Sequence, residues 1–262
     1  MALAIITGGS GGIGLDLASL FAADGYDLVL IARHETVLAR ACDDLARRHR
    51  IKAWPVAADL GVPSGVGEVV SRVKSLGRDG EVAALVNNAG FGHRGPFVKS
   101  NTDEQVGMIN VNVTALTHLT RLLLPGMVER RRGMILNVAS TAAFQPGPLM
   151  TVYYATKAYV LSFSVALAVE LEGTGVTATC LCPGPTATGF QARAGMAGTA
   201  LSSSMLAMDS AAVARAGYRA MKRGKKVVVP GLLNRLGAAG AKFAPRTMAA
   251  RVAKLSQGAR NG

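Results

Sequence analysis

Apolar residues fall along this chain in short, nearly continuous runs. The runs lie at 2–7, 27–33, 51–58, 82–87, 134–140, 176–182 and 226–230. Each has the length of a strand, and continuous apolar character, in place of alternation, reads as burial on both faces of a sheet. Between them, 13–24, 35–49, 64–76, 102–130, 151–172 and 209–223 read as helices. Short apolar strands alternating with helices predict parallel crossovers and an open, doubly wound α/β sheet of about seven strands. Pro55 sits inside the third run. Proline cannot donate to a ladder, so that strand belongs at an edge, where the strand order 3-2-1-4-5-6 puts it.

No repeat, low-complexity tract or linker interrupts the pattern, and a single domain is expected. Residues 1–231 form the main unit in this reading, and 232–262 a basic C-terminal helical extension. The chain has 262 residues, half of them hydrophobic and 17% charged, which excludes a disordered chain. Its formal charge of +13 is confined to one end. Asp209 is the last acidic residue, and 210–262 carries 12 Lys/Arg. Residues 1–209 hold 17 basic and 16 acidic side chains and are nearly neutral.

Cys42, Cys180 and Cys182 are odd in number and wrongly spaced for a zinc or redox pair, so they read as reduced core thiols; no metal site is expected. Cys180 and Cys182 would share one strand face. The N-terminus has no leader pattern, and no apolar run reaches about 18 residues, so no spanning helix is expected. Location is expected to be cytoplasmic, with peripheral membrane contact as a second reading of the basic tail.

The first strand runs into Thr7-Gly8-Gly9-Ser10-Gly11-Gly12-Ile13-Gly14 and then a helix. Glycines there allow a tight turn and close approach of a pyrophosphate, and the helix N-terminus offers N–H groups and a positive dipole end. The context is that of a Rossmann dinucleotide site. Two spacings fit, Gly9-x-Gly11-x-x-Gly14 and Thr7-Gly8-x-x-x-Gly12-x-Gly14. The second strand ends Ala32-Arg33-His34-Glu35, without the acidic residue usual for NAD. Arg33 suits a 2′-phosphate, with Ser10 as a second contact; a surface Arg33–Glu35 pair is the alternative. NADP(H) is therefore preferred, with NAD(H) as the fallback.

Tyr153 and Lys157 are four apart on a helix and share a face. An ammonium beside a phenol stabilises the phenolate and would make Tyr153 a proton donor near neutral pH. Tyr154 is a competing phenol, but Ala158, not a cation, stands four residues on. Ser140 ends a strand at the carboxyl edge of the sheet, as does Asn87-Asn88-Ala89-Gly90, and Asn112 lies on the helix between them. The helix pattern alone leaves Asn110 as a rival to Asn112.

Taken together, these residues resemble the short-chain dehydrogenase/reductase family in its single-domain form. The resemblance spans residues 2 to about 190 and includes Asp59 and Pro183-Gly184-Pro185-Thr186-Ala187-Thr188. It implies that Tyr153 is the acid/base, that Ser140 orients the carbonyl oxygen, and that Lys157 binds the nicotinamide ribose. It implies that Asn112, chosen over Asn110 by family spacing, holds a relay water. The implied cofactor contacts are Gly8, Ser10, Gly12, Ile13, Gly14, Arg33, Asp59, Asn88, Ala89, Gly90, Tyr153, Lys157, Pro183, Gly184, Thr186 and Thr188. Homodimers or homotetramers through 102–130 and 151–172 are also implied, and the apolar run Val160–Val169 fits either such an interface or a buried helix.

Substrate-facing segments are expected at 91–100, 141–152 and 186–208, with Phe91, Ala142, Phe144 and the methionines Met196 and Met205. Their small, apolar content suits an apolar or acyl carbonyl. His93 and Arg94 could meet an anionic head group but read more simply as loop residues. Residues 225–231 resemble the closing strand of bacterial 3-oxoacyl-reductase-like relatives. The segment 232–255 mixes apolar and basic residues as an amphipathic cover of the fold or an anionic-membrane contact; nucleic acid is not expected. The reading is an NADP(H)-dependent oxidoreductase acting on a carbonyl or alcohol. A cofactor-binding sensor or scaffold with little turnover is the rival.

Overall fold

The computed structural model describes residues 2–195 and 207–257. Seven parallel strands form one sheet: β1 (Leu3–Thr7), β2 (Asp27–Ala32), β3 (Ala53–Ala57), β4 (Val82–Asn87), β5 (Gly133–Val138), β6 (Val176–Leu181) and β9 (Val227–Val228). Their order is β3-β2-β1-β4-β5-β6-β9, and the progression of the chain across the sheet reverses between β1 and β4. The Rossmann fold is thus as expected, and β3 with Pro55 is an edge strand, Pro55 standing opposite Leu30. A second, two-stranded parallel ladder pairs β7 (Thr186–Ala187) with β8 (Met208–Asp209) beyond the carboxyl edge, and the short helix α7 (Phe190–Arg193) follows β7.

Strand residues alternate between two cores. Ile6, Leu28 and Leu30 pack on one face with Leu17 and Phe21 of α1 (Gly12–Ala23) and Val213 and Tyr218 of α8 (Ser210–Lys222). Ile5, Val29 and Ile31 pack on the other with α3 (Pro63–Ser75), α5 (Leu116–Glu129) and α6 (Thr151–Glu170). This is the period of two that a strand buried on both faces requires. Helix α2 (Glu35–His49) packs Leu38, Cys42 and Leu45 beside α1.

The helix expected over 102–130 is present as α4 (Thr102–Ile109), a π-helical turn over Asn110–Ala115, and α5. The sequence pattern predicts no spanning helix, and α6 is the element that comes nearest to one, although Lys157 interrupts its apolar run. By length and composition this 20-residue helix could cross a membrane, at a mean hydropathy of 1.4. Here it packs along β6 and the turn after β5, with Val160, Ser164 and Leu167 turned inward. After β9 the chain continues as α9 (Leu232–Phe243) and α10 (Arg246–Gln257). The expected pocket residues Met196 and Met205 lie outside the described residues.

Candidate active site

The glycine turn joins β1 to α1. Gly8 and Gly12 hold φ values of +66° and +53°, the left-handed region that favours glycine. Gly14 faces a different constraint: a Cβ there would stand 2.2 Å from the Gly8 carbonyl oxygen. A Cβ on Gly11 would meet nothing. The spacing that matters is therefore Gly8-x-x-x-Gly12-x-Gly14, and of the two readings the second describes this turn. Thr7 secures it, its Oγ1 accepting hydrogen bonds from the Asn88 and Ala89 backbone N–H groups, each at 2.9 Å. The Asn88 side chain donates back to the carbonyls of Thr7 and Gly8. One polar pair thereby locks the ends of β1 and β4 together at the point where the strand order reverses, where ligands bind in such sheets.

A cleft of about 510 Å³ opens along this edge. Of the residues singled out from sequence, it is lined by Gly8, Ser10, Gly12, Ile13, Arg33, Asp59, Asn88, Ala89, Gly90, Ser140, Tyr153, Lys157, Pro183, Gly184, Thr186 and Thr188. Gly14 and Asn112 stand one layer behind. The residues fit a dinucleotide. At one end Ser10–Ile13 bring the N-terminus of α1 into the cleft, with no side chain capping it, and such an end attracts phosphate. Thr188 packs on Gly12, its methyl 3.1 Å from where a Cβ would be. Arg33 is exposed at the end of β2, on the cleft wall, and the ion pairs among the described residues do not include the alternative Arg33–Glu35. Asp59 bonds the Gly61 N–H at 2.8 Å and lines the same region.

The other end gathers Ser140, Tyr153 and Lys157. Ser140 leaves β5 as the cap of the short helical turn Thr141–Phe144, accepting from the Ala142 N–H at 3.1 Å and donating to the Pro183 carbonyl at 3.3 Å. Tyr153 and Lys157 occupy the first turns of α6 and are both buried. The Lys157 ammonium donates to the Val138 carbonyl at 2.8 Å and stands 5.8 Å from the Tyr153 ring centre. Burial lowers its pKa to about 8, opposed by the nearby thiols of Cys180 and Cys182. Those sulfurs share a face as expected, 3.6 Å apart and fully buried.

The expected lowering of the Tyr153 pKa is not what this geometry produces. Burial pushes the phenol above its ordinary value, Tyr154 adds to the rise, and the hydrogen bond with Ser140 works the other way without prevailing. Desolvation outweighs the Ser140 hydrogen bond, and the Lys157 ammonium donates to the Val138 carbonyl.

Asn112 sits inside the π-helical turn. Its Nδ2 donates to the Phe91 carbonyl at 3.0 Å and to Thr156 Oγ1 at 3.1 Å, and its Oδ1 accepts from the Phe91 N–H at 3.1 Å. A Cβ on Gly90 would touch both Asn112 Oδ1 and Lys157 Nζ, so the two groups flank one backbone. Asn110 points elsewhere, to the Gly61 carbonyl. Position 112, not 110, adjoins Gly90 and Lys157 behind the cleft.

Both phenols border the cleft, with ring centres 6.1 Å apart, but Tyr153 is the one next to Ser140 and Lys157. Thr141, Met150, Phe190, Gln191 and Arg193, which also line the cleft, fall within the expected substrate-facing segments 141–152 and 186–208, though sequence reasoning names none of them individually; Leu60 and Val111 near Asp59 are not anticipated by it. Their signal was weak because each is an ordinary loop or helix residue made important by sheet-edge topology. His93 pairs with Glu104 at 2.8 Å, and neither it nor Arg94 lines the cleft.

Residues 2–197 match the family model described as short chain dehydrogenase. A short chain dehydrogenase of Pseudocercospora fijiensis is 39% identical over 183 residues, covering 69% of this chain and 58% of that protein. The very-long-chain 3-oxoacyl-CoA reductase of Rattus norvegicus is 35% identical over 186 residues, with the same two coverages. The chain thus spans somewhat under three fifths of the length of these relatives. Among solved structures, a short-chain dehydrogenase of Sphingobium yanoikuyae in complex with NADPH superposes with a TM-score of 0.83 at 31% identity, covering 92% of both chains. The bulky-bulky ketone specific alcohol dehydrogenase of Comamonas testosteroni gives 0.78 at 27%, covering 96% of this chain and 98% of that one. Sequence, sheet order and cleft agree: the chain belongs to the short-chain dehydrogenase/reductase family of oxidoreductases.

Proposed function

We propose that this chain is an NADP(H)-dependent reductase of an apolar, acyl-type carbonyl compound, running in reverse as an alcohol dehydrogenase. The observation that carries the reading is the convergence of Ser140, Tyr153 and Lys157 on one wall of a cleft whose opposite end is the glycine turn. A bound nicotinamide cofactor supplies the hydride. Gly8–Ile13 and the α1 N-terminus would hold its phosphates, Asp59 its adenine end, and Lys157 with the 183–188 turn its nicotinamide half. Arg33, a solvent-facing cation at the end of β2 with no acidic residue before it on the strand end, favours a 2′-phosphate.

Tyr153 gives its proton to the carbonyl oxygen as negative charge develops there, and Ser140 donates a hydrogen bond to the same oxygen. A phenol held protonated by burial is suited to the reducing direction, since the acid is present in its working form across neutral pH. Asn112 braces Phe91 and borders Lys157, consistent with a proton path behind the cleft. The substrate end presents the apolar side chains of Phe91, Met150, Tyr154 and Phe190, alongside the polar Thr141 and Gln191 and the cation Arg193. That content, and relatives named as 3-oxoacyl-CoA reductases, support an acyl substrate. Residues 1–231 would constitute the catalytic unit, assembled as a homodimer or homotetramer, with 232–262 as the extension.

The test is NADPH oxidation with a panel of ketones and 3-oxoacyl thioesters. Wild type turns over; Tyr153→Phe loses on the order of 10²- to 10⁴-fold in kcat while NADPH binding, read by fluorescence, is kept. In the same assay Arg33→Asp erodes the preference for NADPH over NADH. Retained turnover in Tyr153→Phe overturns the mechanism. Cofactor binding with no turnover on any carbonyl would favour the sensor reading.

A further inference from the structure

The last two helices bury the wrong side for a simple cover. In α9 and α10 the side chains turned toward the fold are alanines: Ala238, Ala249 and Ala253 are 6%, 5% and 1% exposed. The large apolar side chains face out. Leu232, Leu233, Leu236 and Phe243 on α9, and Met248, Val252 and Leu255 on α10, are all more than 60% exposed, Phe243 reaching 89%. At 3.6 residues per turn Leu232, Leu236 and Phe243 fall within about 40° of one another, and Ala238 lies roughly opposite. Met248, Val252 and Leu255 likewise share a face within about 60°. These are two consecutive amphipathic helices with their apolar stripes presented to the outside.

Charge decides what meets them. Arg235, Arg246, Arg251 and Lys254 are exposed on the same two helices. No acidic residue follows Asp209. A second copy seated on this face across a twofold axis would set like charges against like charges with no local acid to pair them. An anionic lipid surface takes both features at once. Apolar stripes sink into the headgroup boundary and flanking cations meet lipid phosphates, each worth a modest attraction that adds along the segment. We propose that α9 and α10 form a docking surface for an anionic phospholipid bilayer.

Placement gives this a consequence for the site. Asn234 of α9 packs on Gly184, where a Cβ would come within 2.3 Å of its side-chain oxygen. It also donates to the Pro230 carbonyl and to the sulfur of Met208 on β8. Helix α9 further rests on the Thr141–Phe144 turn beside Ser140. Helix α9 is thus joined to the wall of the cleft at Gly184 and beside Ser140, so docking through it would hold the proposed active site next to the bilayer. That consequence rests on the activity proposed above; the docking itself does not.

The test is co-sedimentation of the full chain with vesicles of phosphatidylcholine alone and of phosphatidylcholine mixed with phosphatidylglycerol. Two variants accompany it, Phe243→Asp with Leu255→Asp and Arg251→Glu with Lys254→Glu. All four positions are exposed and outside the cleft, so turnover of a soluble ketone without vesicles stays at the wild-type level. Wild type is expected to pellet with the phosphatidylglycerol vesicles, and either variant or raised salt to weaken binding by roughly tenfold or more. The proposal is overturned if wild type stays in the supernatant with both vesicles, or if the apolar pair binds them as wild type does. It is also overturned if that pair lowers the solution mass, which would show a second copy covering the face. Docking without turnover supports this inference while defeating the proposed activity, and turnover without docking does the opposite.

Discussion

Tyr153 and Lys157 are the residues at which sequence reasoning and geometry part. Four-residue spacing puts them on one helix face, and the pairing was legible. The direction of the tyrosine shift was not, because spacing reports nearness and not burial. Both side chains sit below a tenth exposed, and desolvation penalises the charged form of each. For Lys157 this has a thermodynamic sign that can be read. Its pKa falls from 10.5 to about 8 on folding. Between those values the unfolded chain binds more protons, so this group's contribution to stability rises with pH across that window. Below about 8 both states carry the charge and the full cost of burying it is present. Lys157→Met should therefore melt higher than wild type at pH 7. Its advantage should shrink as pH climbs from about 8 toward 10.5, measured by thermal unfolding of the two proteins side by side. A wild-type-to-variant gap that is flat with pH would mean that the ammonium is not desolvated as described.

At the scale of an element, the glycine turn shows how backbone conformation resolves what a motif leaves open. Six of the eight residues Thr7–Gly14 are small enough to serve two overlapping patterns. Only the φ values at Gly8 and Gly12 and the contact of Gly14 with the Gly8 carbonyl separate them. Gly11→Ala adds a methyl to open space in extended backbone and should change the unfolding free energy by less than about 0.5 kcal/mol. Gly14→Ala must push the turn off the helix and should cost more than about 2 kcal/mol, read by urea unfolding. Equal effects would show that the turn has slack that these contacts deny. The helix over 102–130 teaches a related lesson. Its apolar pattern announced a helix, but the π-helical turn inside it was silent, since one extra residue per turn leaves composition unchanged. That turn is what brings Asn112, and not Asn110, beside Lys157 and Phe91, as such bulges often do at functional sites.

Across the whole molecule, the sheet order was readable because two cues converge on it: uninterrupted apolar strands and a proline that tolerates only an edge. Outer faces were harder. An amphipathic period says that a helix has an apolar side but not that this side turns inward, and in α9 and α10 alanines take the inward place. Helix α6 poses the same ambiguity and settles it both ways. The run Val160–Val169 read equally as a buried helix or an interface. Val160, Ser164 and Leu167 are buried against the sheet, while Tyr159, Val165 and Val169 are exposed, Val169 by 52%. Ile109 and Leu122, on α4 and α5, are exposed as well. Exposed apolar residues on these three helices fit a self-complementary contact, in which a residue near the twofold axis meets its own copy. A charge introduced there is doubled and desolvated by association, so the contact itself magnifies the substitution. Val165→Glu with Val169→Glu should therefore yield a smaller species by sedimentation velocity and light scattering. Val165 lies eight residues past Lys157, about 12 Å along the helix, so NADPH binding should survive the dissociation. An unchanged mass would leave this face to solvent, and the family's usual assembly would have to be sought on another surface.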